Sequence, residues 1–179
     1  MSGTRRIVLT GPESTGKTTL AAALAERFGA PWTREAARLF AESSTVPLSA
    51  ATVAPIAQLS IQLEDAVLAS APELLVRDTD LVSTVVYARH YYGDVAEWIE
   101  DEARSRRGDL YLLCLPDLPW EPDGVRDRPA QREALLEDFR RCLAELGAVV
   151  VEIGGAGPAR LAAAERAVIS ALAGWRRGE

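Results

Sequence analysis

Short unbroken apolar runs alternate along this chain with longer stretches in which apolar positions recur every three to four residues. The first pattern predicts strands buried on both faces and the second predicts amphipathic helices. Residues 5–10 (RRIVLT) read as a first strand, followed by a glycine-rich turn and a helix over 17–28 that Gly29 stops. Residues 30–34 form a weak second strand, which Pro31 places at an edge or a strand start. A short helix is predicted over 35–42, a polar loop over 43–49, and a helix over 50–69, where Ile56, Leu59, Leu63, Ala66 and Val67 keep helical spacing. The third strand, 74–78, ends in Asp78. Helices follow over 81–92, closed by Gly93, and over 95–107, with Asp94 as the N-cap. A fourth strand spans 110–115, a Pro- and Asp-rich loop 116–129, and a helix 130–146. The fifth strand is 148–153; a helix then runs from 158 to about 175, with 174–179 as a frayed tail. Strands that alternate with helices in this way predict an α/β fold of one domain over 1–179, with a five-stranded parallel sheet covered by helices on both faces.

The turn after the first strand carries chemistry. Gly11-Pro12-Glu13-Ser14-Thr15-Gly16-Lys17-Thr18 matches G-x-x-x-x-G-K-[ST], the Walker A pattern. A loop that wraps a di- or triphosphate must point its backbone N–H groups inward, and Gly11 and Gly16 allow the turns and close approach this needs. The helix that starts near Lys17 aims its positive end at the phosphates. Gly11, Glu13, Ser14, Thr15, Gly16, Lys17, Thr18 and Thr19 are the candidate ATP contacts. Lys17 bridges the β and γ oxygens, and the Thr18 hydroxyl is placed to ligate Mg²⁺. Ordinary residue frequencies give a chance match at roughly 1% in a chain of this length, and the flanking strand and helix lower that further.

Composition narrows the class. The chain has 179 residues, 48% hydrophobic and 26% charged, enough to bury a core without disulfides. Its two cysteines, Cys114 and Cys142, lie in apolar stretches, so buried free thiols and a reducing cytoplasm are expected. A net charge of −6 argues against broad nucleic-acid backbone binding. No apolar run reaches the roughly 20 residues of a membrane span, and the N-terminus lacks a signal-peptide pattern. Lys17 is the only lysine and asparagine is absent, so the Asn-Lys-x-Asp guanine motif of GTPases cannot be present. The length also sets aside AAA-type and motor ATPases. A small-molecule kinase of the nucleoside or nucleotide monophosphate type remains.

Such a kinase needs a metal-holding carboxylate, a base, a lid and an acceptor pocket. Asp78, at the end of a strand, either helps hold Mg²⁺ with Thr18 or caps the next helix. Asp80 either contacts a substrate hydroxyl or is the N-cap. Glu35 either takes a proton from the attacking hydroxyl or answers a helix dipole. Arg126 and Arg128, in the hinged loop 116–129, either reach the phosphoryl group or pair with neighbouring acids. Tyr87, Tyr91, Tyr92 and Trp120 are core aromatics or stack on a planar base, and Asp123 is a further candidate contact. His90 is expected at the surface or half-buried. The glycine-rich turn at 154–157 is a candidate for the adenine.

Four segments resemble the ribosylnicotinamide kinase domain of NadR-type bacterial proteins. They are the phosphate loop with Thr19 and Leu20, Arg34-Glu35-Ala36-Ala37-Arg38, Asp78-Thr79-Asp80, and Pro119-Trp120 followed by Asp123-Gly124-Val125-Arg126. The resemblance implies a three-layer P-loop fold with sheet order 2-3-1-4-5. It implies ATP- and Mg²⁺-dependent phosphorylation of the 5′-hydroxyl of nicotinamide riboside; Lys17, Glu35, Asp78, Arg126 and Arg128 are then the catalytic candidates, with Glu35 or Asp78 accepting or orienting that hydroxyl. Glu35, Asp80, Tyr87, Trp120 and Asp123 would bind the substrate. Ala36 stands where the family has tyrosine, which alters the pocket. The chain is too short for the nucleotidyltransferase and DNA-binding domains of larger NadR-type proteins. A kinase for another nucleoside or small alcohol, or a regulatory ATP-binding switch, are the alternatives.

Overall fold

The computed structural model describes residues 3–121 and 129–177. In the first strand, β1 (Arg5–Thr10), Ile7 and Leu9 pack on one side of the sheet and Val8 on the other. The same two-residue alternation divides β4 (Leu110–Cys114), where Leu110 and Leu112 oppose Tyr111 and Leu113. Both faces are therefore apolar, as the unbroken runs predict.

The remaining strands are β2 (Trp32–Thr33), β3 (Leu74–Asp78) and β5 (Val150–Ile153). All neighbouring pairs run parallel, in the order β2-β3-β1-β4-β5. On one face lie α1 (Lys17–Phe28) and α7 (Gly157–Arg177), whose Leu20, Leu24, Ala164 and Val168 pack on Ile7, Leu9 and Leu112. The other face carries α3 (Val53–Leu68), α4 (Leu81–Tyr92), α5 (Glu97–Ser105) and α6 (Arg132–Glu145), packed around Val8, Tyr111, Leu113 and Phe139. The short α2 (Ala36–Ser43) rests on α3 through Ala36, Ala37 and Ile56. This is the three-layer P-loop architecture.

The boundaries differ from expectation where local chemistry intervenes. Only two residues of the second strand pair, because Pro31 has no N–H; its carbonyl accepts from the Val76 N–H at 3.1 Å. Helix α5 starts at Glu97 with Ala96 at its N-cap, so Asp94 does not cap it; Glu97 and Glu100 bring negative charge to its first turn instead. The expected frayed tail is helical through Arg177 among the described residues. Trp175 packs on the core, and the Arg5 guanidinium lies 5.1 Å from its ring centroid, which holds this last turn down. Cys114 and Cys142 are buried and free, as expected.

Candidate active site

The phosphate loop joins β1 to α1 at the carboxyl edge of the sheet. Gly11 has φ +124°, and a Cβ there would sit 2.6 Å from the Cys114 carbonyl oxygen, so no side chain fits. Gly16, at φ +76°, is the N-cap of α1 and turns the chain into the helix. Ser14 also has a positive φ, +52°. The Lys17 ammonium donates to the Pro12 carbonyl at 2.6 Å, and the Thr15 hydroxyl donates to the same oxygen at 2.9 Å. Lys17 can therefore leave for a phosphate oxygen without orphaning that carbonyl.

Asp78 ends β3 beside this loop. Its Oδ2 accepts from the Thr18 hydroxyl at 2.5 Å, while Oδ1 is buried without a partner among the described residues. Burial pushes its carboxyl above the usual range and the charge of Glu35 adds to this; the Thr18 hydrogen bond, Lys17 and Arg38 pull the other way. The next residue, Thr79, has φ +67°, rare for a β-branched residue. That kink separates Asp78 from Asp80, which turns away to cap α4.

Two neighbouring cavities occupy this edge of the sheet. The phosphate cavity, about 360 Å³, is lined by residues 13–19 with Glu35, Arg38, Leu118, Pro119 and Glu121. The second, about 220 Å³, lies between α2, α3 and α4 and includes Ala36, Ser60, Asp80, Tyr87, Tyr91 and Tyr92. Glu35 lines both, so the one carboxylate stands at their common wall. Tyr87 ties the same wall together: its hydroxyl donates to Glu13 Oε2 at 3.1 Å, and its ring stacks on Tyr91 at 5.9 Å between centroids. Glu13 is 2% exposed, and its Oε1 has no partner among the described residues.

Glu13, Ser14, Thr15, Gly16, Lys17, Thr18 and Thr19 line the phosphate cavity, and Gly11 shapes the turn below it. Asp80 reaches the second cavity as an N-cap, with both oxygens engaged: Oδ1 accepts from the Val82 N–H at 3.0 Å and Oδ2 from the Tyr111 hydroxyl at 2.7 Å. Burial raises its pKa, opposed by Arg77 and by the Tyr111 bond. Among the described residues, neither cavity lining includes Trp120. The Ser14 hydroxyl donates to the Glu121 carbonyl at 2.6 Å and Arg132 donates to the Leu118 carbonyl at 3.2 Å, which holds this segment over the phosphate loop. Trp120 is half-buried there. Asp123, Arg126 and Arg128 lie outside the described residues. His90 is half-buried, as expected, with Nδ1 2.6 Å from Asp138 Oδ2.

Two arginines at the site, Arg132 and Arg160, escaped the sequence, and a third, Arg38, was named there only as part of a motif. Arg38 lines the phosphate cavity and lies 3.9 Å from Glu35 Oε2. Arg132 Nη1 is 3.4 Å from the Ser14 carbonyl. Arg160 is 4% exposed and donates to the Thr15 carbonyl at 2.8 Å. The signal for Arg160 was its place on the stripe it shares with Ala164 and Val168, the face of α7 that is buried.

The chain is 27% identical over 146 residues to the trifunctional NAD biosynthesis/regulator protein NadR of Escherichia coli, a match covering 79% of this chain and 35% of that protein. It thus spans about a third of the length of that relative. Crystal structures of NadR in complex with NR, and with NAD and AMP-PNP, superpose with TM-scores of 0.74 and 0.78 at 25% and 26% identity; each covers 92% of this chain and 48% of the other. The NadR-type resemblance is borne out. Thymidylate kinase from Ehrlichia chaffeensis shares the fold, with a TM-score of 0.66 at 15% identity over 95% of this chain and 99% of that one. Length proves no ground for setting AAA-type proteins aside, as far as family membership goes. The family model described as an AAA domain, AAA_28, matches residues 6–160, and the chain belongs to that family.

Proposed function

We propose that this protein is an ATP- and Mg²⁺-dependent kinase that phosphorylates the 5′-hydroxyl of nicotinamide riboside to nicotinamide mononucleotide, in the cytoplasm, with residues 1–179 acting as one kinase domain and 116–129 as its lid. One observation carries the reading: a carboxylate, Glu35, stands in the shared wall of a phosphate cavity and an aromatic, acid-lined cavity. ATP belongs in the first and the acceptor in the second. The positively charged nicotinamide ring suits a pocket with three tyrosines and Asp80 at its floor. The NadR complexes with NR and with AMP-PNP support both assignments.

The chemistry follows from the geometry. Glu35 accepts the proton of the 5′-hydroxyl as its oxygen bonds to the γ-phosphorus; the bond to the bridging oxygen breaks, and ADP leaves with the electron pair. Lys17 leaves Pro12 for the phosphate oxygens, and Arg38, with Arg126 and Arg128 of the lid, balances charge on the phosphoryl group in flight. The residues at Asp78 fit a magnesium ion. Thr18 and Asp78 offer hard oxygen donors, and Asp78 Oδ1, without a partner among the described residues, would be free to hold the ion. When bound, the ion neutralises charge on the β and γ oxygens.

Acceptor-stimulated ADP release tests this. Nicotinamide riboside should stimulate well above water, adenosine and thymidine, and mass spectrometry should find nicotinamide mononucleotide. Stimulation by another nucleoside alone favours the second acceptor class. That class has one observation of its own: Ala36 in the cavity wall leaves room where the related family has a tyrosine ring. No stimulation by any acceptor would leave the switch.

A further inference from the structure

A loop that turns its N–H groups inward must turn its carbonyls outward, and each buried carbonyl then needs a donor from the surrounding protein. Pro12 has its donors within the loop, from Thr15 and Lys17. Thr15 is fully buried, and the donor to its carbonyl comes from the far end of the chain: Arg160 Nη2, on α7, at 2.8 Å. The same guanidinium donates to the Leu115 carbonyl at 3.0 Å, the Gly155 carbonyl at 2.8 Å and Asp117 Oδ1 at 2.7 Å. Asp117 Oδ2 in turn accepts from the Gly155 N–H at 2.6 Å. The packing leaves no slack, since a Cβ at Gly154 would lie 2.9 Å from Asp117 Oδ2.

One buried side chain thus joins the phosphate loop, the end of β4, the start of the 116–129 loop and the turn after β5. A planar fork with five donors reaches four acceptors in this way; an ammonium cannot. We propose that Arg160, held by Asp117, is a positioning residue for ATP. It fixes the Thr15 peptide so that the loop keeps its N–H groups turned inward, and it sets the distance between the phosphate loop and the Gly154–Gly155 turn. The inference rests on ATP binding, as in the proposed function, and is independent of which acceptor is used.

The test is titration of ATP and Mg²⁺ without acceptor, into wild-type, Arg160→Met, Arg160→Lys and Asp117→Asn protein, each below its melting temperature. The Met and Lys variants should bind ATP at least tenfold more weakly, Lys losing nearly as much as Met, and steady-state kinetics should raise KM for ATP while the acceptor KM stays within twofold. Asp117 is 40% exposed, so Asp117→Asn should fold and raise the ATP dissociation constant several-fold; it decides the matter if Arg160→Met does not fold. ATP affinity within twofold of wild-type in Arg160→Lys or Asp117→Asn, or a parallel rise in acceptor KM, overturns the inference. Binding is read without acceptor, so a wrong acceptor assignment leaves this result untouched.

Discussion

The two cavities are built by different means. The phosphate cavity is mostly one contiguous stretch, residues 13–19, whose shape is a backbone property: positive φ at Gly16 and Ser14 and a glycine at position 11 that a Cβ would exclude. The second cavity is assembled from side chains on α2, α3 and α4, separate in sequence. They differ in satisfaction too. In the second cavity both Asp80 oxygens have donors. On the phosphate side, Glu13 Oε1 and Asp78 Oδ1 are buried and unpartnered among the described residues. These are the two carboxylate oxygens buried without a partner among the described residues, and buried groups of this kind cost stability.

The largest effect should come from the phosphate side alone. Lys17→Ala should lower kcat by roughly 10²–10³-fold or more, as expected on removing a charge aimed at the transferring phosphoryl. Its fold should survive, because Thr15 still serves the Pro12 carbonyl. Turnover near that of wild-type in a folded Lys17→Ala protein would remove the lysine from catalysis. Glu35→Gln, in the shared wall, should cost roughly 10²-fold in kcat while ATP binding without acceptor stays unchanged. Equal losses in ATP binding and turnover would assign Glu35 to the phosphate side only.

This contrast also explains what could be read in the sequence. The phosphate loop was legible because backbone chemistry dictates residue types at fixed spacing, and β1, β3 and β4 because their unbroken apolar runs announce strands buried on both faces; β2 and β5 are only partly buried. Asp78 was legible as a carboxylate ending an apolar strand. The second cavity was legible only as separate candidates: Glu35, Asp80, Tyr87, Tyr91 and Tyr92 stand out singly, but no spacing links them, and only the packing of α2 and α3 against α4 brings them together with Ser60. Trp120 lines neither cavity among the described residues, because its neighbours are tied to Ser14 and Arg132, which a polar loop in the sequence does not announce. Arg160 was missed because a charge on a buried stripe reads as an error of pattern until its acceptors are known, one of them, the Thr15 carbonyl, 145 residues away.

Asp78→Asn should separate stability from function. A carboxyl held above its ordinary pKa binds its proton more tightly folded than unfolded. The buried charge therefore costs nothing below the ordinary value of 3.8 and destabilises as pH rises from there through the folded value. The Asn variant should lose activity yet melt about 2–4 °C higher at pH 7, the size of a ~1 kcal/mol gain for this length. The gain should shrink as the pH falls toward about 4. A gain that is flat with pH, or a loss at pH 7, would mean the charge is better compensated than its unpartnered oxygen implies.

The smallest effect tests the seam itself. Tyr87→Phe keeps the ring that stacks on Tyr91 and packs edge-on against Phe139, and removes only the hydroxyl that donates to Glu13. Loss of a bond worth about 1 kcal/mol corresponds to roughly fivefold. If Glu13 serves the acceptor side through Tyr87, the acceptor KM should rise by that factor with the ATP KM unchanged. If Glu13 serves the phosphate loop, the ATP KM should rise instead. An equal rise in both would mean that the Glu13–Tyr87 contact makes the two cavities one unit, and the division between backbone-built and side-chain-built halves would end at that bond.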